Sequence, residues 1–345
     1  MVFRTRAHSA GAILQEAAMK IPYCQRAARV FATLSASLAA IVPCLLAQAA
    51  HAAPLAYVPN EKSGTVSVVD TATDTVLRSL AAGKRPRGIA AVPGGTRLFV
   101  TDAGSNMLLI LDSAGGAVPA PLALGKSPEG VSVSPDGRYA AVAVEEGNSV
   151  TLVDARSGER VADIPVQGRN PEHAVFSPDS RWLYVSAEDA EQVDVIDVAQ
   201  RRQAGTVAVG LRPRGIGFSP DGRRAYIACE LVNTVYVVDT ATRATVAKIP
   251  AGRNANGIAV HPSGRQVYVS NGTDGSVMLI DTASHSVSAT VAVGKRPWNM
   301  ALTADGAKLY VANGRSNSVS VIDTAAARKV ADIAVGELPW GVAIP

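Results

Sequence analysis

One register runs through the chain. Two hydrophobic residues followed by an aspartate recur at Asp70, Asp112, Asp154, Asp197, Asp239, Asp281 and Asp323, 42 residues apart at every step but one, which is 43. A second column, Pro86, Pro128, Pro171, Pro213, Ala255, Pro297 and Pro339, keeps the same period. Seven such units fill the chain from residue 53 to residue 345. A period this long and this regular restricts the fold to copies of one supersecondary unit packed side by side.

Within each unit the apolar residues alternate, which predicts strands rather than helices. The unit around Gly215 predicts strands over residues 215–219, 224–229, 234–239 and 245–250. Ser219-Pro220-Asp221-Gly222 is a tight turn, with Pro presetting φ and Gly accepting the left-handed region. Asp239 begins another turn, where its carboxylate can take backbone N–H groups two residues on. Four short antiparallel strands per repeat describe a propeller blade. A solenoid is the rival, but it requires atypical capping repeats, and none is visible. The expected fold is all-β, a single seven-bladed β-propeller. Its first unit opens on a second strand and the chain closes on residues that match a first strand. Pairing of the two is expected to close the ring and remove both sheet edges.

A chain that is 48% hydrophobic and 18% charged is not disordered. The net charge of +4 comes from residues 1–52, where Arg4, Arg6, Lys20, Arg26 and Arg29 face only Glu16. The rest carries as many acidic as basic residues, so it lacks the field that nonspecific nucleic-acid binding needs. Residues 1–52 have the plan of a signal peptide: Arg26 and Arg29, an apolar run over 30–46, and Ala50-His51-Ala52 as the cleavage site. Met19 gives a leader of more usual length and is the expected true start. A periplasmic or secreted protein follows, with residues 53–345 as its one domain. Cys24 and Cys44 lie in the leader, so the mature chain keeps Cys229 and forms no internal disulfide. No second apolar run is long enough to span a bilayer, and a monomer is expected.

Tyr57-Val58-Pro59-Asn60, Tyr184-Val185-Ser186-Ala187, Tyr268-Val269-Ser270-Asn271 and Tyr310-Val311-Ala312-Asn313, each leading into a segment such as Asn317-Ser318-Val319-Ser320-Val321-Ile322-Asp323-Thr324, carry a family signature. The chain resembles the Tyr-Val-Thr-Asn (YVTN) β-propeller repeat family over the whole of residues 53–345. Asn60-Glu61-Lys62 and Leu338-Pro339-Trp340-Gly341-Val342 are most similar to the periplasmic propellers associated with pyrroloquinoline-quinone (PQQ)-dependent catabolism. The resemblance implies a secreted binding or scaffold protein whose partner is a quinoprotein dehydrogenase system or a small substrate of it. It also implies structural similarity to the haem-d1 domain of nitrite reductases and to amine dehydrogenase heavy chains.

In a propeller the fourth-to-first and second-to-third connections ring one mouth of the channel. The residue after the proline column reads Arg87, Glu129, Glu172, Arg214, Asn256, Trp298 and Trp340. Two positions earlier stand Arg85, Ser127, Asn170, Arg212, Asn254, Arg296 and Leu338. The other loop contributes Glu61, Glu145, Glu188 and Glu230. These columns vary while the scaffold columns do not, which marks the rim as the candidate binding site. Blade order predicts an aromatic and cationic sector (Trp298, Trp340, Arg85, Arg87, Arg296) and an acidic one (Glu129, Glu145, Glu172, Glu188, then Glu230). The first sector suits an anionic aromatic such as a quinone, through stacking and bidentate pairing. The alternative is that the Trp side chains plug the channel and the Arg and Glu columns are ion pairs between blades.

His173 starts an inner strand at the rim, where a ligand or a metal with Glu172 and Glu188 is one reading and ordinary hydrogen bonding the other. His261 and His285 fall elsewhere in the register and cannot join it on one ion. Cys229 reads as a small buried hydrophobe. Motifs for covalent haem, nucleophile elbows, zinc proteases and phosphate loops are missing from the sequence. The expected function is non-catalytic recognition of a small ligand or partner protein at the rim, with no cofactor. A lyase, hydrolase or oxidoreductase-like propeller enzyme and a cell-surface adhesion protein are the alternatives.

Overall fold

The computed structural model describes residues 54–345 apart from Gly115 and Ala117. The expected leader, with Cys24 and Cys44, lies outside the described residues. Turn chemistry punctuates the chain as the repeat predicts. In Ser219-Pro220-Asp221-Gly222 the Gly222 N–H donates to the Ser219 carbonyl at 2.8 Å, and Gly222 sits at φ 70°. The Asp221 carboxylate accepts from Arg223 N–H at 3.0 Å and from the Ser219 hydroxyl at 2.6 Å. At the corner after the third strand of the unit, Asp239 accepts the Thr242 N–H at 2.9 Å, as Asp70 in the first unit accepts the Ala72 N–H at 2.7 Å.

Between turns the strands pair antiparallel in sequence order, giving six four-stranded sheets and one three-stranded sheet. The sheet of Pro213–Phe218, Arg224–Cys229, Thr234–Asp239 and Thr245–Pro250 represents them. Blades are numbered here from the N-terminus. Blade 1 holds Leu55–Asn60, Thr65–Asp70 and Thr75–Ala81, blade 5 is the sheet just described, and blade 7 begins at Pro297–Leu302. The outer strand of blade 2 shrinks to Leu122–Ala123. Its sequence carries Pro119 and Pro121 just before, and proline cannot donate to a ladder.

The three-stranded blade is completed from the far end of the chain, as expected. Tyr57 and Ala343 exchange backbone hydrogen bonds at 2.9 Å in both directions, and Trp340 N–H donates to the Pro59 carbonyl at 3.0 Å. The core is a ring of seven clusters, each shared by two adjacent blades. Blades 5 and 6 share Tyr226, Ala228, Val237, Val267, Val269 and Ile280. Blades 7 and 1 share Tyr310, Val319 and Val321 with Ala56, Val58 and Val342, so the closing junction is packed like the others. The aromatic column Tyr57, Phe99, Tyr184, Tyr226, Tyr268 and Tyr310 is buried, in its expected packing role.

Candidate functional site

The innermost strands bring the site together through two backbone devices. The first is left-handed backbone before the rim: Ser127, Asn170, Arg212, Asn254, Arg296 and Leu338 all lie at φ between 54° and 57°. Non-glycine residues hold that region only where surrounding bonds fix it. Asparagine side chains do so, Asn148 accepting the Asn170 N–H and Asn233 the Asn254 N–H, each at 2.9 Å. The turned carbonyls then clamp the second-to-third loops, Ser127 accepting Glu145 N–H at 3.0 Å and Arg212 accepting Glu230 N–H at 2.9 Å.

The second device is a β-bulge in each first strand directly after the proline column, as between Pro213 and Ile216 against Cys229 and Ile227. The rim residue sits in the bulge, which aims it into the channel. The following residue is Gly88, Gly130, Gly215, Gly257 or Gly341 in five blades. A Cβ on Gly215 would lie 2.4 Å from the Asn256 carbonyl of the next blade, so the close approach requires glycine there. His173 and Asn299 occupy this column in the other two blades. Asn299 Nδ2 and His173 Nε2 meet at 3.2 Å across the channel, and the His173 ring stacks on Trp340 at 5.5 Å between centroids. Together these three side chains floor the mouth.

Above that floor is a cavity of about 280 Å³ lined by Glu61, Arg87, Glu129, Glu145, Glu172, Glu188, Arg214, Asn256, Arg296, Trp298 and Trp340, with Ser127 and Asn299. Nearly every expected rim residue is therefore in one place. Arg85, Arg212 and Glu230 stand behind this lining and bond to it, while His173 faces a separate cavity of about 90 Å³ beneath.

The charges do not divide into sectors. Each guanidinium is met by carboxylates, many from neighbouring blades. Arg85 Nη2 lies 2.6 Å and Arg87 Nε 3.1 Å from Glu61 Oε1, and Arg87 also bonds to Glu129. Arg214 bonds to Glu172, to Glu188 at 2.6 Å and to Glu230 at 2.8 Å. Arg212 reaches Glu188 at 2.7 Å and Glu230 at 3.2 Å. Arg296 approaches Glu230 at 3.4 Å, and its guanidinium carbon lies 6.0 Å above the Trp298 ring. The expected separation of a basic half from an acidic half is thus corrected: long Arg side chains cross the blade boundaries and neutralise carboxylates locally. The alternative reading of the columns, ion pairs between blades, describes what is seen, and Trp340 is part of a plug.

Two carboxyls diverge in this setting. Burial raises Glu129, Arg87 opposes the rise, and Glu145 adds to it, so that Glu129 is pushed up to about 7. Burial also penalises ionised Glu230, but Arg214, Arg212 and Arg296 outweigh it and hold this carboxyl below its usual range. Ser127 sits between Glu129 and Glu145: its hydroxyl donates to Glu145 at 2.6 Å, and the same oxygen lies 3.2 Å from Glu129 Oε1.

Burial lowers His173 to about 4, partly offset by Asn299, so the imidazole is neutral at physiological pH. It does not gather with Glu172 and Glu188 into a metal site, and among the described residues no cluster of three metal-ligating side chains occurs. Sequence reasoning placed His173 at the start of an inner strand, as found, but missed Asn299 and the contact between the two. The interrupted glycine column was the available signal. Cys229 is buried, and burial pushes its thiol up to about 12, which leaves it unreactive.

A profile of the YNCE-like beta-propeller family matches residues 19–344. The chain belongs to that family. Among solved structures, this YNCE-like propeller is similar to the Kuenenia stuttgartiensis hydrazine synthase at TM-score 0.72 and 24% identity, over 78% of this chain and 92% of that one. A functionally unknown protein from Desulfotomaculum acetoxidans matches at TM-score 0.74 and 18% identity, over 85% and 99% of the two chains. The dihydro-heme d1 dehydrogenase NirN, solved in complex with DHE, matches at 0.62 and 18%, over 81% of this chain and 63% of its own. At these identities the likeness is one of fold. No curated protein matches the YNCE-like propeller.

Proposed function

We propose that this YNCE-like propeller is a non-catalytic recognition protein that binds a small polar ligand in the cavity at the mouth of its channel. One observation carries the reading: a concave site of about 280 Å³ whose walls are two indoles and a preformed lattice of buried and half-buried Arg and Glu. Buried ion pairs contribute little net stability, because desolvation offsets their attraction. The seven apolar clusters between blades already hold the ring, so charge gathered around an open cavity supports recognition. The volume suits a small molecule. A leader at residues 1–52 sets this activity in the periplasm. Partnership with a quinoprotein dehydrogenase system rests on the sequence resemblance, through Asn60-Glu61-Lys62 and the closing Leu338–Val342 stretch.

Native mass spectrometry of the mature protein, purified from the periplasm of its host, tests the reading. A bound small molecule that is lost on Trp298→Ala supports it. A bare mass, together with no thermal shift across a library of small polar compounds, overturns it in favour of a partner-protein scaffold. One observation favours a second reading, an enzyme. Glu129 is raised toward neutrality and Glu230 is lowered within one rim, a divergence typical of acid–base pairs. Turnover of the copurified molecule, abolished by Glu129→Gln, is the result that selects it.

A further inference from the structure

Resting on the small-ligand reading above, we infer that the ligand of the mouth cavity carries an organic ammonium group seated against Glu145 and Glu129, with the Trp298 and Trp340 rings facing the rest of the ligand. The charge balance of the lining leads there. Five carboxylates, Glu61, Glu129, Glu145, Glu172 and Glu188, line the cavity with three guanidiniums, Arg87, Arg214 and Arg296, and with Arg85, Arg212 and Glu230 behind them the network still holds six carboxylates against five guanidiniums. Arg87 and Arg214 are each committed to two or more carboxylates, so neither offers a free positive charge to an anion. Arg296 is engaged by Glu230 and belongs to blade 7, across the ring from Glu145 in blade 3.

Among the described residues, Glu145 is the lining carboxylate with no guanidinium or ammonium bonded to it. Its partners are the neutral Ser127 hydroxyl at 2.6 Å and the Glu129 carboxyl beside it, neither of which brings a positive charge. Beside it, Glu129 is nine-tenths buried and shares Arg87 with Glu61, which leaves the Glu129–Glu145 pair short of positive charge. A cation placed there supplies the missing charge. Across the cavity the two indoles, Trp298 of blade 7 and Trp340 of blade 1, offer aromatic faces to the rest of such a ligand. Trp340 is held in place by its stack on His173, and the Trp298 ring packs over Gly314, where a Cβ would lie 2.8 Å from the ring. The walls are therefore preorganised, which lowers the entropy cost of binding. An anionic aromatic would meet five carboxylates and no uncommitted guanidinium.

The test compares probes of equal shape and different charge on the full mature chain: benzylammonium, benzyl alcohol and benzoate, titrated at pH 8 while tryptophan fluorescence and binding heat are read. The expected result is saturable binding of benzylammonium, at least tenfold tighter than either comparison probe, and a further loss of about tenfold in Glu145→Gln, equivalent to one decade in Kd. Trp182 lies away from the rim between Arg181 and Arg243, so Trp182→Phe serves as the control and should leave the quenching intact. Tighter binding of benzoate overturns the ammonium assignment and leaves the small-ligand reading standing. Equal binding of all three shows a merely aromatic site and overturns it as well. If none of the three binds, the assignment fails, and the mass-spectrometric test alone then decides the small-ligand reading.

Discussion

His173 and Trp340 stack across the propeller channel with ring centroids 5.5 Å apart, joining blade 4 to blade 1. The contact exists because the glycine column gives way to histidine in one blade, while a bulged strand from the far end of the chain presents an indole. It closes the lower side of the mouth cavity. It also excludes water from the imidazole, and burial is what depresses that group.

Trp340→Ala should therefore raise the His173 pKa from about 4 toward the ordinary 6.5, measurable by NMR titration of the ring protons. A buried Trp truncated to Ala also costs about 3 kcal/mol or more in unfolding free energy. The sign of the linked pH effect follows. A histidine depressed in the folded state loses stability as pH falls from its unfolded value near 6.5 through about 4. The variant should show a smaller loss over that window than the parent. An unchanged titration in a folded variant overturns the assignment of the stack as the shield.

Glu129 has the opposite sense. Its folded value near 7 exceeds the ordinary 4.5, so stability is highest with the proton on and declines as pH rises from 4.5 through 7. Glu129→Gln removes a proton that must otherwise leave. Relative to the parent, the variant should gain up to about 3 kcal/mol between pH 5 and pH 8, the free-energy equivalent of the shift. Urea denaturation at the two pH values measures the difference. A constant offset between the two proteins shows that Glu129 does not titrate in this window.

Legibility in the sequence followed the range of the interactions. Strand order, turns and ring closure depend on contacts within one 42-residue unit or between identical units, so the repeat exposes them many times over. The outer strand of blade 2 departs because Pro119 and Pro121 break the local pattern, which is itself visible. The rim columns were readable as positions, because one bulge after each proline aims the same register inward. Their pairing was not. Arg214 takes Glu172 and Glu188 from the preceding blade and Glu230 from its own, a choice set by side-chain reach across a blade boundary. Columns of like residues suggested sectors, whereas Coulomb attraction in a partly buried ring interleaves the charges.

That interleaving makes Arg214 the most consequential rim cation for stability. It is 6% exposed and bonds to three carboxylates. Arg214→Met should cost about 3–5 kcal/mol, because it leaves buried negative charges without compensation. Lys62→Met, which breaks an exposed pair with Glu337, should leave the denaturation midpoint unchanged. Comparable effects of the two substitutions are inconsistent with a buried network.

The closing junction makes the sharpest claim about the fold. Ala343 N–H donates to the Tyr57 carbonyl, and the neighbouring Val342 packs with Ala56, Val58 and Tyr310 between the first and last blades. The polar side of the same boundary is tied by Lys308 to Asp74 at 2.8 Å and by the Tyr310 hydroxyl to Asp74. Ala343→Pro removes the donor and sets a ring against the adjacent strand, so a loss of about 3 kcal/mol is expected, with lower cooperativity of unfolding. Hydrogen exchange locates the damage: blades 1 and 7 should lose protection first, while blades 3 to 5 keep theirs. Uniform loss of protection around the ring would mean that the propeller opens as one unit and that the junction is no weaker than any other boundary between blades.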